Sequence, residues 1–136
     1  MTNIAKSAAF SSRGRSIVYW IATLFIALES AVAGTMDILR LPPLFAILIH
    51  LGYPDYFGRI LGVWKVLGAV ALVIPRYPRL KEWAYAGMFF DFTAAAISHL
   101  VIGDGVVWLV GPITSIVFLA VSWALRLPAR RDFTPS

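Results

Sequence analysis

The sequence has no cysteine among its 136 residues, and only 14% of its residues are charged. The absence of cysteine excludes disulfides, thiolate metal sites and thiol redox chemistry. The shortage of charge, beside 60% hydrophobic residues, does not fit an ordinary water-soluble domain, in which roughly a quarter of the residues are charged. A soluble fold of this length buries only about 70% of its surface, so it cannot hide that much apolar area. The composition therefore indicates a membrane protein.

Four apolar stretches each approach the ~20 residues that a membrane-spanning helix needs. They are residues 16–34, 58–74, 83–102 and 106–127. Pro112 predicts either a kink in the last one or the first turn of a shorter helix. Residues 44–51 are apolar but too few to cross, and the preceding Pro42-Pro43 favours a helix start. We predict an all-α integral membrane protein, a four-transmembrane-helix bundle with a short interfacial helix between the first two spans.

Polar segments flank this membrane domain of residues 16–127. Residues 1–15 are predicted to be a cytoplasmic N-terminal segment, and residues 128–136 a cytoplasmic tail. The basic start, the apolar run and Ala31-Val32-Ala33 also resemble a secretory signal peptide with its cleavage site. We expect the segment to be retained as the first span.

Lysine and arginine are distributed unevenly between the two predicted membrane faces. With the N-terminus inside, nine of the 12 lie on the cytoplasmic face, two lie outside, and Lys65 lies within a span. Because positive residues collect on the cytoplasmic side, both termini are predicted to be cytoplasmic. The net charge of +5 follows no stripe or face, so anionic lipid headgroups are the expected partner and nucleic acid is not.

Four ionisable residues interrupt the apolar spans, namely Glu29, Lys65, Asp91 and His99. A charge at the bilayer centre costs ~2.5–3.5 kcal/mol on insertion scales, so these side chains should face the bundle interior. At ~1.5 Å per helical residue, all four can reach one cavity in the outer half of the membrane. Two carboxylates beside one lysine also leave a surplus negative charge, so one carboxyl group is expected to hold a proton. Proton-transfer sites use carboxyl groups of this kind.

These four residues are therefore the candidates for acid–base chemistry, and Tyr56, Trp64, Phe89 and Ser98 are the candidate ligand-binding residues. No metal is predicted, because His50 and His99 have no further ligand at a metal-binding spacing. The alternative is that the lysine and carboxylates only fix the positions of the helices.

Several blocks of sequence resemble the DoxX-like family. They are GYPDYFGRILGVWKVLGAVAL (52–72), Pro75, KEWAYAGMFFDF (81–92) and Ser98-His99, within a similarity from about Ile17 to Leu125. The resemblance implies a compact, multi-pass, four-helix protein of the bacterial inner membrane. Similar proteins include the small membrane subunit of a thiosulfate–quinone oxidoreductase and membrane partners of oxidative-stress enzymes.

Three functions remain open from the sequence. The first is a pocket for a quinone-like or other lipophilic small molecule, accessory to redox metabolism. The second is a membrane-embedded acid–base enzyme, of isomerase type, acting on a lipophilic substrate. The third is a non-catalytic assembly partner of another membrane protein, acting as a homo-oligomer or bound to a redox partner protein.

Overall fold

The computed structural model describes the backbone of residues 2–126 and the side chains of residues 12–126. Its helices are α1 (Thr2–Leu39), α2 (Leu44–His50), α3 (Asp55–Val73), α4 (Pro78–Val101) and α5 (Val110–Ala124), with a 3₁₀ helix at Val106–Leu109. Four segments are long and apolar enough to cross a membrane: Ser12–Leu39, Asp55–Val73, Pro78–Val101 and Val106–Ala124. The predicted fold class, four spans with a short helix between the first two, is confirmed.

The helix ends differ from the ends of the apolar runs. Helix α1 continues beyond Gly34 to Leu39, and α4 begins at Pro78 rather than at Trp83. Proline is favoured in the first turn of a helix, where its missing N–H costs nothing, so α4 starts before its apolar residues. Pro112 lies in the first turn of α5, so the shorter helix is observed. The predicted tail 128–136 lies outside the described residues.

The four spans run alternately up and down, so helix ends meet at each of the two ends of the bundle. The α2 side is the end that holds α2, the end of α1 and the start of α3. The terminal side is the opposite end. On the terminal side, Arg15 of α1 donates a hydrogen bond to the backbone oxygen of Ala124 at the end of α5, over 3.4 Å. The first and last spans therefore meet at that end.

Helices α1 and α3 pack so closely that two glycines face each other. A Cβ atom added at Gly34 would lie 2.6 Å from the backbone oxygen of Gly62, and one at Gly62 would lie 2.5 Å from that of Gly34. Gly58, one turn earlier on α3, leaves space for the side chain of Leu48 from α2. A Cβ atom added at Gly58 would lie 2.9 Å from Cδ2 of Leu48. The Gly58-x-x-x-Gly62 spacing thus admits α2 at one glycine and α1 at the other, as small-residue motifs do in membranes.

The half of the bundle nearer the terminal side is tightly packed. Its buried apolar cluster joins all four spans, and it consists of Ile26, Leu72, Tyr85, Met88, Phe92 and Leu119. Ser122 lies 2.6 Å from the Thr23 hydroxyl and 2.7 Å from the Tyr85 hydroxyl, so these buried polar groups satisfy one another. Lys81 donates to the last carbonyls of α3, at Ala71 and Leu72. Buried apolar contacts and hydrogen bonds thus join the four spans in this half.

Candidate functional site

The half of the bundle nearer the α2 side encloses a cavity of about 670 Å³. All four spans, α2 and the 3₁₀ helix contribute to its walls, which are mainly aliphatic and aromatic. Because the membrane excludes water, hydrogen bonds and ion pairs in such a space are stronger than the same interactions in water. The charged and imidazole side chains on its walls are Glu29, Asp37, Lys65, Asp91 and His99.

Lys65 lies at the centre of the charged wall. Its Nζ donates to Oδ2 of Asp37 over 3.0 Å, and Oδ2 of Asp91 is 3.9 Å away. Asp37 is only 1% exposed, because α1 carries it against α3 next to the contact between the two glycines. A buried carboxylate of this kind needs a charged partner, and the ammonium of Lys65 supplies it. Three helices, α1, α3 and α4, are thereby tied together at the cavity.

Glu29 occupies a different part of the wall, facing α5. Its Oε1 accepts a hydrogen bond from Ser115 over 2.7 Å, and Ser115 also bonds the backbone oxygen of Gly111. Its Oε2 is buried and has no hydrogen-bond partner among the described residues. Buried polar atoms are normally satisfied, so this oxygen is a group with which a polar ligand can interact. With Asp37 and Asp91, the wall holds three carboxyl groups and the single ammonium of Lys65.

A second polar cluster lies at the α2 side of the cavity. Asp104, in the turn after α4, accepts a hydrogen bond from His99 Nδ1 over 2.6 Å and one from His50 Nε2 over 3.0 Å. The hydrogen bonds from His99 and then His50 lower the pKa of the Asp104 carboxyl, since each favours its ionised form. The Trp108 ring stacks on His99 with 5.4 Å between ring centroids. The cluster therefore connects α2, α4 and the 3₁₀ helix.

The structure brings together the four residues predicted to carry chemistry. Glu29, Lys65, Asp91 and His99 all line the cavity, although only Lys65 and Asp91 approach within ion-pair distance of each other. Their catalytic role stays a prediction. Among the described residues, no group of three or more histidine, cysteine or acidic side chains is arranged to hold a metal ion.

The predicted ligand-binding residues are placed unevenly. Trp64 lines the cavity, and Ser98 lies just behind the wall, 2.8 Å from the hydroxyl of Tyr53, which does line it. Tyr56 and Phe89 do not line it, and Tyr56 is 68% exposed. At 3.6 residues per turn, Tyr56 points about 180° away from Lys65 around α3, and Phe89 about 160° away from Asp91 around α4.

Several site residues escaped prediction from the sequence. Asp37 was assigned to the loop outside the membrane because the apolar run stops at Gly34, yet it is the nearest partner of Lys65. Its spacing from Ser30 and Ala33, at i+7 and i+4, was the available signal, since it places all three on one helix face. Asp104 and Trp108 were not predicted, because they lie in the turn and the 3₁₀ helix after the third apolar run, and their contacts with His50 join segments that are distant in sequence.

Comparison with known proteins gives one match. Residues 21–125 match the model of the DoxX-like family, and this range covers most of the first span, the other three spans and both polar clusters. No curated protein and no solved structure matches the chain.

Proposed function

The chain belongs to the DoxX-like family, and we propose that it binds a lipophilic small molecule with a quinone-like head in the cavity on the α2 side. It is a multi-pass membrane protein, so molecules dissolved in the bilayer are in direct contact with its surface. The cavity of about 670 Å³ is the observation that supports the proposal, because it lies within the usual range for binding sites of this kind.

The wall chemistry favours a ring with hydrogen-bonding oxygens over a plain hydrocarbon chain. Lys65 offers an ammonium donor, and Glu29 offers an unpartnered oxygen in the same space. Trp108 and Phe90 present flat aromatic surfaces nearby, on which a conjugated ring can stack. A quinone carbonyl oxygen can accept a hydrogen bond from the Lys65 ammonium, and a hydroxyl of the reduced quinol can donate one to the Glu29 oxygen.

One route by which such a ligand would enter lies between α3 and α4. Trp64 of α3 is 70% exposed and Phe90 of α4 is 67% exposed, although both line the cavity. Side chains that belong both to the wall and to the outer surface mark the rim of an opening. Within the membrane, this rim faces lipid, so a hydrophobic molecule can enter without passing through water.

A redox role for this site would be an accessory one. The chain has no cysteine, so it has no thiol pair with which to pass electrons to a quinone. Electrons would therefore come from a partner enzyme docked on the membrane, with this protein holding the quinone. We further propose that both termini are cytoplasmic in a bacterial inner membrane, which places the cavity in the outer half of the bilayer.

Titration with decylubiquinone, a short-tailed quinone, tests the proposal on protein in lipid nanodiscs. Quinones quench tryptophan fluorescence, and Trp64 and Trp108 both line the cavity. The wild type should show saturable quenching, and Lys65→Met should weaken binding by about tenfold, as expected for loss of one charge-assisted hydrogen bond.

The matched control is Lys81→Met, which removes another buried lysine, 3% exposed, outside the cavity. It should bind the quinone as the wild type does. Decanol, which has the tail without the quinone ring, serves as competitor. Non-saturable quenching, equal weakening by both lysine variants, or displacement by decanol as effective as by the quinone would overturn the proposal.

A second function is favoured by one specific observation, the unpartnered Oε2 of Glu29 beside two further carboxyl groups. A carboxyl that faces a bound substrate can exchange a proton with it, which is the basis of an isomerase-type reaction. The exchange of deuterium from solvent into a bound lipophilic substrate separates the two functions. Exchange that is lost in Glu29→Gln would indicate catalysis, whereas binding without exchange would leave the binding function alone.

A further inference from the structure

The polar cluster around Asp104 extends continuously from the membrane surface to the cavity. His50, on the short helix α2, has a side chain that is 51% exposed at the α2 side. His99, in the last turn of α4, has a side chain that is only 5% exposed and lines the cavity. The Asp104 carboxylate lies between them and touches both imidazoles. The three side chains thus form one hydrogen-bonded line from water to the cavity.

The atoms in this line have the chemistry that proton transfer requires. Oδ1 of Asp104 is 3.0 Å from Nε2 of His50, and its Oδ2 is 2.6 Å from Nδ1 of His99. Each distance falls within the hydrogen-bond range, and the shorter one has the length of a charge-assisted bond. Imidazole is the side chain that gains and loses a proton most readily near neutral pH. Each ring has a second nitrogen that is not bonded to Asp104.

Trp108 holds the two rings in place. Its indole stacks on the buried His99 and also lies 6.2 Å from the His50 ring, between centroids. An aromatic face beside an imidazole stabilises the positively charged form that a ring takes during transfer. Because Trp108 also lines the cavity, the inner end of the line is covered by the same wall that would contact a ligand.

We propose that His50, Asp104 and His99 form a proton relay between the aqueous face on the α2 side and the cavity. A proton from water binds the exposed imidazole of His50, which releases one to Asp104 from Nε2. For the transfer, His99 takes the tautomer with its proton on the nitrogen that faces the cavity, so that Nδ1 accepts a proton from Asp104 and the other nitrogen releases one into the cavity. Each imidazole gains one proton and loses one, so one proton moves inward and every group regains its charge. Each imidazole then holds its proton on the other nitrogen, and it returns to its first tautomer when the ring turns over or exchanges the proton with water.

Charged groups at the inner end can receive this proton. From α1, Asp37 and Glu29 line the same cavity as His99, and α3 contributes Lys65, α4 Asp91. With three carboxyl groups and one ammonium, the wall has sites at which a proton entering from His99 can reside. The relay extends the proposed function, since quinone chemistry consumes or releases protons, but it requires only that these carboxyl groups exchange protons with water.

A proton-release experiment tests the relay without any ligand. Protein in nanodiscs is mixed with a photolabile caged proton, and a laser flash lowers the pH while infrared absorption records the carboxyl bands. The part of the carboxyl signal that is missing in Asp91→Asn arises from the cavity, because Asp91 lies on its wall. In the wild type this signal should follow the pH jump quickly, and in His50→Ala, His99→Gln and Asp104→Asn it should slow by at least about tenfold, as loss of a general acid–base group does.

Two controls separate a relay from a merely structural cluster. Asp55→Asn removes a carboxylate on the same face, one that pairs with Arg40 at 2.9 Å, and it should leave the rate unchanged. Imidazole dissolved in the buffer should restore the rate of His50→Ala, because the exposed position is open to solvent, whereas it should not restore His99→Gln. A structural defect would not respond to imidazole in this way.

An unchanged rate in His50→Ala and Asp104→Asn would overturn the relay, because protons would then reach the cavity by another route. Slowing in all variants without imidazole rescue would also overturn it, since the cluster would then act only through packing. The binding proposal is tested separately, by the decylubiquinone titration at fixed pH. His50→Ala should bind the quinone as the wild type does, since His50 is not on the cavity wall.

Discussion

Replacing Lys65 by methionine should destabilise the protein by a predictable amount. The change leaves Asp37, 1% exposed, without the ammonium 3.0 Å away. Removal of one partner of a buried ion pair costs ~3–5 kcal/mol. The expected loss at pH 7 is therefore about 3–5 kcal/mol.

Unfolding in mixed micelles with increasing sodium dodecyl sulfate, followed by circular dichroism, measures the free energy of unfolding of the wild type and of Lys65→Met. A loss of less than about 1 kcal/mol would refute the assignment of a stranded buried carboxylate.

A pair of double-mutant cycles identifies the carboxylate concerned. Lys65→Met combined with Asp37→Asn should recover part of the loss, with a coupling energy of about 1–3 kcal/mol. The matched cycle with Asp91→Asn should give a smaller coupling, because Asp91 lies 3.9 Å from the ammonium and not 3.0 Å. Strictly additive effects in the Asp37 cycle would mean that the two side chains do not meet.

Three further outcomes follow from the fold and from the α2 side. Gly62→Ala should cost about 1–3 kcal/mol in the same unfolding assay, because its Cβ would lie 2.5 Å from a backbone oxygen of α1, whereas Gly87→Ala, with nothing within 4 Å, should be tolerated. The lowered pKa of Asp104 means that its stabilising effect is complete above the unfolded value of about 3.9 and is lost at lower pH, so Asp104→Asn should be less stable than the wild type at neutral pH and should approach it in acid. In intact cells, an impermeant maleimide should label Asp55→Cys and not Arg79→Cys, and the reverse labelling would place the α2 side in the cytoplasm.

The fold followed from the sequence because membrane insertion depends on local properties. An apolar run of sufficient length must become a helix in lipid, since no water is there to satisfy its backbone. The runs around Ile26, Trp64, Phe90 and Leu119 therefore predicted α1, α3, α4 and α5. The helix ends were less accurate, because a polar residue such as Asp37 can continue a helix when the bundle gives it a partner.

The candidate site was only partly predictable for the same physical reason. The cost of a charge in lipid identifies Glu29, Lys65, Asp91 and His99 as inward-facing, and all four line the cavity. The choice of partner depends on contacts between distant segments. Asp104 lies in a Gly-Asp-Gly turn, and nothing in its local sequence shows that the turn folds back onto α2.

Native mass spectrometry of gently extracted protein tests the binding function most directly. The wild type should carry the mass of one lipophilic molecule. Ala95→Trp fills the cavity, because Ala95 is on its wall, and should lose that mass, whereas the control Ala86→Trp adds the same ring to an exposed position of α4 and should keep it. A wild type that carries no bound molecule, or equal occupancy in Ala95→Trp, would contradict the proposal that the cavity is a binding site.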